Sequence, residues 1–162
     1  MWSSEPTRRA ALLGALALGG CGFAPAYGPG SDAARLRGRV AVEVPATVSG
    51  YLLRARLIDR LGPAREAAYR LDVDTSEQSE QAAISADGAV LRYRLLGRAT
   101  FALRPAGGGT ALAEGTVEAF AGYSSTLGTV ASGAAERDAR ERLAVLLADQ
   151  VMTRLLVTPD LP

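Results

Sequence analysis

Cys21 is the only cysteine of this 162-residue chain, and its surroundings suit attachment of a lipid to its thiol. Two arginines at 8–9 precede a short apolar run over 10–18, and two glycines stand directly before the cysteine. A basic start, a short apolar run and small residues at a cleavage site form the order of a bacterial secretion signal. We therefore expect residues 1–20 to be a lipoprotein-type signal peptide that is removed, leaving Cys21 to carry a covalent lipid such as palmitate. The competing interpretation is an inert, buried thiol.

The segment around Cys21 also indicates the compartment. The apolar run is well below the roughly 18 residues that a spanning helix needs, so a transmembrane helix is disfavoured. Paired arginines are also found in twin-arginine signals, so the Sec and Tat export routes both stay open. Gly22, rather than Asp, follows the cysteine, and by resemblance to known lipoproteins this favours the outer membrane. Residues 21–34 are then expected to form a lipidated tether and residues 35–162 a single domain.

The composition argues against most enzyme classes. The chain contains no His, so the commonest general base and metal ligand is missing, and acylation of Cys21 would remove the only thiol nucleophile. No Gly-x-Ser-x-Gly elbow, phosphate loop or His-Glu-x-x-His motif occurs. The formal net charge of +1 gives no global basic field for nucleic acid. We expect a protein that is not an enzyme, with no metal and no cofactor beyond the lipid.

A row of arginines is the remaining candidate site. Arg92, Arg94 and Arg98 share one face of the most regular predicted strand, and Arg70 lies on the strand before it. One interpretation is a solubilising sheet face, in which the arginines pair with nearby carboxylates. The carboxylates available for this are Asp72, Asp74 and Glu77. The other is a site for lipid phosphates, to which guanidinium groups make charge-assisted bidentate hydrogen bonds.

The elements that position these arginines follow from hydrophobic periodicity and predict an α+β fold. Alternating segments predict strands over 39–45, 69–75, 90–104 and 110–121, with a turn at 105–109. A 3.6-residue period predicts one helix over 50–61, capped by Ser49 and ended by Gly62-Pro63, and another over 133–156, capped by Ser132. The expected fold is a four-stranded, mostly antiparallel sheet with two helices packed on one face, in the order β-α-β-β-β-α.

The hairpin between the second and third strands poses a register problem. A two-residue turn at Asp87-Gly88 would pair Ile84 with Leu91, and so even positions with odd ones. The apolar positions of both strands are odd, so this register would turn one apolar set to the wrong face. We therefore expect a bulge within 75–81 or a longer loop.

Two further expectations concern the apolar residues. The large apolar side chains of the second and third strands should form the core under the helices rather than a lipid groove. These are Tyr69, Leu71, Leu91, Tyr93 and Phe101. Beyond Leu143 the last helix is apolar nearly all round, so it should contact a second partner, either the first helix or another protein.

The segment that follows the predicted cleavage site resembles a known family. The start Cys21-Gly22-Phe23-Ala24-Pro25-Ala26-Tyr27-Gly28, the order of the elements, and Asp138-Ala139 and Ala148-Asp149-Gln150 in the last helix resemble the LPS-assembly lipoprotein family (LptE). The resemblance implies two helices on a four-stranded sheet. It also implies an outer-membrane lipoprotein that faces the periplasm, partly inside the β-barrel of the LPS translocon. There it would plug the barrel, assist its assembly and help deliver LPS to the outer leaflet.

The same resemblance bears on the arginine row. Basic residues near the second and third strands are implicated in LPS contact in that family, which makes Arg92 and Arg94 the candidates, with Arg70 and Arg98 beside them. The family supplies no catalytic residues. The implied partners are the barrel protein, lipopolysaccharide and the outer membrane. The alternative is a stand-alone periplasmic lipoprotein that binds a small or lipidic ligand between its helices and its sheet.

Overall fold

The computed structural model describes residues 32–125 and 129–158, so the predicted signal peptide, Cys21 and most of the predicted tether lie outside the described residues. The described chain forms α1 (Asp32–Leu36), β1 (Val40–Glu43), α2 (Val48–Leu61), β2 (Tyr69–Ile84), β3 (Val90–Pro105), β4 (Ala113–Ser124) and α3 (Thr129–Leu156). Apart from the short α1, this is the predicted order. The fourth strand begins and ends three residues later than predicted, because the connection after Pro105 is longer than the expected turn.

The strands form one sheet in the order β1-β2-β3-β4. β1 runs parallel to β2, because α2 carries the chain back along the sheet between them. β2 and β3 are antiparallel neighbours, as are β3 and β4. The sheet is therefore four-stranded and mostly antiparallel, and α2 and α3 pack against it, as expected for the predicted α+β class.

Side chains alternate between the two faces of this sheet, and the alternation separates a buried face from an exposed one. Odd-numbered residues of β2, β3 and β4 lie on the face that the helices cover, and those beneath the helices form the core with them. The largest fully buried side chains are Leu36, Leu53, Leu57, Leu61, Leu71, Leu103, Leu143, Val151 and Leu155. Even-numbered residues of the same strands lie on the opposite face, called the open face below, and are exposed or half-buried.

The helix ends are set by local hydrogen bonds. Thr47, not Ser49, is the N-cap of α2, because its side-chain oxygen accepts the Gly50 N–H at 3.0 Å. Gly62 ends the helix as predicted, with φ at 76° and its N–H donating to the Ile58 carbonyl at 2.8 Å. α3 begins at Thr129, so Ser132 lies inside the helix and the predicted cap there is wrong.

A longer loop resolves the register of the β2–β3 hairpin. The Ser85 N–H donates to the Ala89 carbonyl at 2.8 Å, and Gly88 between them has φ at 87°. Three loop residues, 86–88, replace the two expected, so Ile84 lies opposite Val90 rather than Leu91. Odd positions then oppose odd ones along the hairpin. Two irregularities around Ala83 shift the register in opposite senses and cancel.

The predicted core is confirmed under the helices but not at the far end of the sheet. Tyr69, Leu71 and Phe101 are buried. The prediction for Leu91 is wrong, since its side chain is exposed near the hairpin end. Tyr93 is half-buried and stacks on Tyr123 of β4, with ring centroids 5.3 Å apart. The helices therefore cover only part of the length of the sheet.

The second partner expected for the last helix is, in part, α2. α3 packs against α2 as well as against the sheet, and Met152 is buried. Val145 and Leu146 remain 39% and 44% exposed, so one apolar side of α3 stays uncovered within the described chain. Among the described residues, no helix is long and apolar enough to span a membrane.

Candidate functional site on the open face of the sheet

The open face places three of the four predicted arginines next to one another. All three are exposed, even-numbered residues of β3, which is the inner strand next to the edge strand β4: Arg92, Arg94 and Arg98. Consecutive even residues lie about 7 Å apart along a strand, so Arg92 and Arg98 are separated by about 20 Å. A single headgroup with several phosphates could therefore contact more than one guanidinium group.

Arg94 lies at the centre of this group and has two neighbours from the adjoining strands. Its Nη2 atom donates to Glu80 Oε2 at 3.3 Å, directly across from it on β2. Its guanidinium carbon lies 5.9 Å from the ring centroid of Phe120 on β4. The side chain nevertheless stays 48% exposed, so a ligand can reach it.

Two apolar side chains lie between the arginines. Leu96 is half-buried and lies directly opposite Phe120, whose side chain is 62% exposed. Arg94 and Arg98 flank Leu96 on the same strand, and a depression of about 270 Å³ lies beside Leu96 and Arg98. We call the five residues Arg92, Arg94, Leu96, Arg98 and Phe120 the arginine–phenylalanine patch.

The arginines of the patch differ in their ion pairs. Arg98 pairs with Glu118, directly opposite on β4. Arg92 lies next to the register irregularity of the hairpin, and within the described parts of the chain its guanidinium group has no hydrogen-bond or ion-pair partner. Arg92 is therefore the group that can accept an anion without first giving up a carboxylate.

Arg70 does not belong to the patch. It lies opposite Arg104 near the other end of the β2–β3 ladder, about 34 Å along the strand from the level of Arg94, and pairs with Asp72 at 3.1 Å. The predicted pairing with Asp72 is confirmed for Arg70 alone. The other two predicted carboxylates are elsewhere: Glu77 contacts Arg140 of α3 at 3.7 Å, and Asp74 accepts the Thr75 N–H.

Sequence reasoning missed the apolar half of the patch. Leu96 has the same parity as the arginines of β3, which was a visible signal for its face. Phe120 could be placed beside it only once the β3–β4 register was known, because a shift of one residue moves a side chain to the other face. Arg104 was also visible by parity, and it lies beside Arg70 rather than in the patch.

The opposite end of the open face is acidic. A depression of about 670 Å³ there is lined by Glu43, Asp72, Asp74 and Glu114 together with Arg104. These carboxylates are too dispersed to act as a metal site, and no cluster of potential metal ligands occurs among residues 32–125 and 129–158. The open face thus has a basic and aromatic end near the hairpin and an acidic end near β1.

One titratable group of the hairpin has a shifted pKa. Asp87, in the loop between β2 and β3, has a pKa below its usual range because the Ser85 side chain and the Asp87 backbone donate hydrogen bonds to its carboxylate. The loop is closed beside it by Ser85 and Ala89, since the Ser85 hydroxyl donates to the Ala89 carbonyl and accepts the Ala89 N–H, both at 3.0 Å.

The layer between helices and sheet offers little room for the alternative ligand. The side chains that meet there include Leu57, Leu71, Leu103 and Leu143, each with an exposed fraction of 0%. Interiors packed in this way exclude a ligand unless the layers separate. The open face is therefore the better candidate for a binding surface.

Comparison with known proteins agrees with this architecture. The model of the family described as "LptE: Lipopolysaccharide-assembly" matches residues 38–155. No match was found among curated proteins. A putative lipoprotein from Caulobacter crescentus is 26% identical, with a TM-score of 0.65 over 77% of this chain and 92% of that chain.

Two more distant structures share the fold. Rare lipoprotein B from Shewanella oneidensis is 18% identical, with a TM-score of 0.55 over 71% of this chain and 91% of its own. A minor lipoprotein from Acinetobacter baumannii is also 18% identical, with a TM-score of 0.56 over 73% and 90%. The family match covers most of the chain and coincides with the folded domain, from the residues before β1 to the end of α3. The chain therefore belongs to the LptE family of lipopolysaccharide-assembly lipoproteins.

Proposed function

We propose that this protein is an outer-membrane lipoprotein, anchored by a lipid on Cys21, that plugs and helps assemble the β-barrel of the LPS translocon and binds LPS during its delivery to the outer leaflet. The observation that carries the proposal is the family match over residues 38–155. The arginine–phenylalanine patch supplies a chemically suitable contact surface within that match.

The patch suits the mixed chemistry of a phosphorylated glycolipid. Arg92 offers a guanidinium group without a partner among the described residues, and Arg94 offers one that is only partly engaged by Glu80. An exposed ion pair contributes about 0–1 kcal/mol, so exchanging Glu80 for a phosphate costs little. Phe120 and Leu96 lie beside these groups and provide apolar area for an acyl chain or sugar ring.

Other exposed apolar side chains support residence inside a partner. Val48 and Tyr51 at the start of α2 are 73% and 70% exposed, and they lie on a different side of the domain from the patch. Contiguous exposed apolar groups mark a surface that a partner can cover. A near-neutral net charge is compatible with enclosure in a barrel.

Binding of LPS is tested by reversing the charge of the patch. Arg92→Glu combined with Arg94→Glu should weaken binding of purified lipopolysaccharide to the full lipoprotein by tenfold or more, as expected for the loss of two charge-assisted contacts. The matched control is Arg70→Glu with Arg104→Glu, which makes the same change in charge on the same face but about 34 Å away. Circular dichroism checks that both variants fold. Equal binding by the patch variant and the wild type would return these arginines to a solubilising role.

Enclosure by the barrel is tested separately. The lipoprotein is purified from outer membranes in mild detergent after chemical crosslinking, and the partner is identified by mass spectrometry. A large β-barrel protein in stoichiometric amount supports the proposal. Extraction as a monomer without a partner, combined with binding of a lipidic ligand, would favour the stand-alone periplasmic lipoprotein instead.

A further inference from the structure

β4 is an edge strand whose outer side is not paired within the described chain. Its 12 residues hydrogen-bond to β3 on one side only. The Ser125 N–H donates to the Leu91 carbonyl at 3.2 Å, which extends the ladder one pair beyond Arg92–Ser124. Bonded pairs recur at every second residue of an antiparallel ladder, so odd residues of β4 turn their N–H and C=O groups toward β3. The even residues turn theirs outward.

One contact confirms this orientation. The carbonyl oxygen of Gly122, an even residue, accepts a hydrogen bond from Arg142 Nη2 of α3 at 3.1 Å, which is possible only if it points away from β3. Within residues 32–125 and 129–158, the outward backbone groups of Glu114, Thr116, Glu118 and Phe120 have no such partner. About four outward donors and as many acceptors are therefore available at alternate positions.

An apolar groove runs beside this edge. It has a volume of about 610 Å³ and lies at the Phe120–Gly122 end of β4, against the flank of α3, where Val145 and Leu146 are exposed. Phe120 borders the groove from the β4 side. A strand added to β4 would continue the sheet, and its side chains would point alternately to the open face and toward the α3 side, where those beside Phe120 would enter this groove.

The charges beside the edge select the kind of strand. Glu114 and Glu118 alternate along β4 on the open face, while Asp138 and Glu141 line the groove on α3. Two of these four carboxylates already have cations, because Glu118 pairs with Arg98 and Asp138 with Arg142. Glu114 and Glu141 have no partner in the described part of the chain. The surplus charge of the edge is therefore negative.

From these observations we propose that the outer edge of β4, from Glu114 to Phe120, accepts an extended strand of a partner protein in which apolar residues facing the α3 side alternate with residues facing the open face that are basic beside Glu114 and Glu118. Pairing of two acidic edges is disfavoured, because it would bring like charges together. The proposal concerns recognition of a protein segment and does not depend on the proposed contact with lipopolysaccharide.

The probe for this surface is a nonapeptide of alternating valine and arginine, added to the full lipoprotein in detergent. Hydrogen exchange followed by NMR should show slowing by tenfold or more at the outward amides of Thr116, Glu118 and Phe120. The amides of Val117 and Ala119 should not change, because they already bond to β3. The same peptide with methylated alternate backbone nitrogens should bind at least about tenfold more weakly, since it cannot complete the ladder.

Thr116→Pro removes one outward donor and leaves the bonds to β3 in place, so it should weaken binding of the peptide. Ser79→Pro is the matched control. The N–H groups of odd residues of β2 point away from β3, as the bond from the Tyr69 N–H to the Arg39 carbonyl shows. Ser79 lies beyond the part of β2 that pairs with β1, so its N–H is also an outward donor, on the opposite edge of the sheet. Equal affinity of the methylated peptide, or equal loss in both proline variants, would overturn the proposal. Slowed exchange at the same amides on raising the concentration of the protein alone would overturn it in favour of a second copy of this chain.

Discussion

Gly97 of β3 lies directly beneath Leu143 of α3, so close that a Cβ atom on Gly97 would come 2.9 Å from Leu143 Cδ2. The same Cβ atom would come 3.0 Å from Leu147 Cδ1. The absence of a side chain at Gly97 is what allows the helix to sit this near the sheet. Because Leu96 is the neighbouring residue on the open face, this contact also ties the position of α3 to the strand that carries the patch.

Gly97→Val should therefore destabilise the fold. A branched side chain at this position meets the ends of Leu143 and Leu147, and overpacking of a core typically costs about 1–3 kcal/mol. Urea unfolding measures the change. Gly107→Val is the control, because nothing lies within 4 Å of a Cβ atom there. If both variants unfold at the same urea concentration, the close approach of α3 at Gly97 is wrong.

Asp149 of α3 joins the two long helices. Its carboxylate accepts from Arg60 at 3.1 Å and from Arg56 at 3.4 Å, both on α2. Asp149→Asn should lower the free energy of unfolding by about 1 kcal/mol, since partial exposure of all three side chains screens the interaction. Asp138→Asn removes an exposed pair within α3 and should cost no more than about 0.5 kcal/mol. Thermal unfolding of the two variants compares them, and a smaller effect at Asp149 than at Asp138 would contradict the prediction.

The sequence was sufficient to predict which face most strand residues occupy, because alternation depends only on the pleat. It did not determine the neighbours across the ladder. Those depend on loop lengths, and the hairpin loop of 86–88 and the connection from Pro105 to Ala113 both differ from the predicted turns. For this reason the arginines of β3 were placed on one face correctly, while Phe120 could not be assigned to them.

Local signals at helix starts were ambiguous for a physical reason. Thr47 and Ser49 both carry a hydroxyl that can accept a backbone N–H, and only the turn after Pro45 decides which one does. At α3, no proline lies between Thr129 and Leu156 to prevent extension toward the N-terminus, and Ser132 is accommodated inside the helix. The family match, in contrast, covers 38–155 and so does not depend on the motif around Cys21.

Acidification should loosen the tip of the β2–β3 hairpin. The pKa of Asp87 lies below its usual value because of the hydrogen bond from the Ser85 side chain, so its contribution to stability is present above the unfolded-state pKa and is lost as the pH falls through the folded-state pKa. NMR titration of the Asp87 carboxyl carbon measures the pKa, and Ser85→Ala should raise it. A pKa at or above the usual value in the wild type would show that the loop does not hold the carboxylate.

The lipid anchor is tested at Cys21, which the sequence places directly after two glycines and a short apolar run. Cys21→Ser removes the thiol that would carry the acyl chains, so metabolic labelling with a fatty acid should be lost and the protein should remain uncleaved or become soluble in the periplasm. Stable lipid anchoring needs more than one acyl chain. A barrel that encloses the protein would also hold it at the membrane, so loss of labelling, rather than loss of attachment, is the decisive measurement. Fatty-acid labelling that survives the substitution would show that Cys21 is not the acylated residue. Gly22→Asp is the companion variant: if sorting follows the residue after the cysteine, the lipoprotein should stay in the inner membrane with its lipid labelling unchanged.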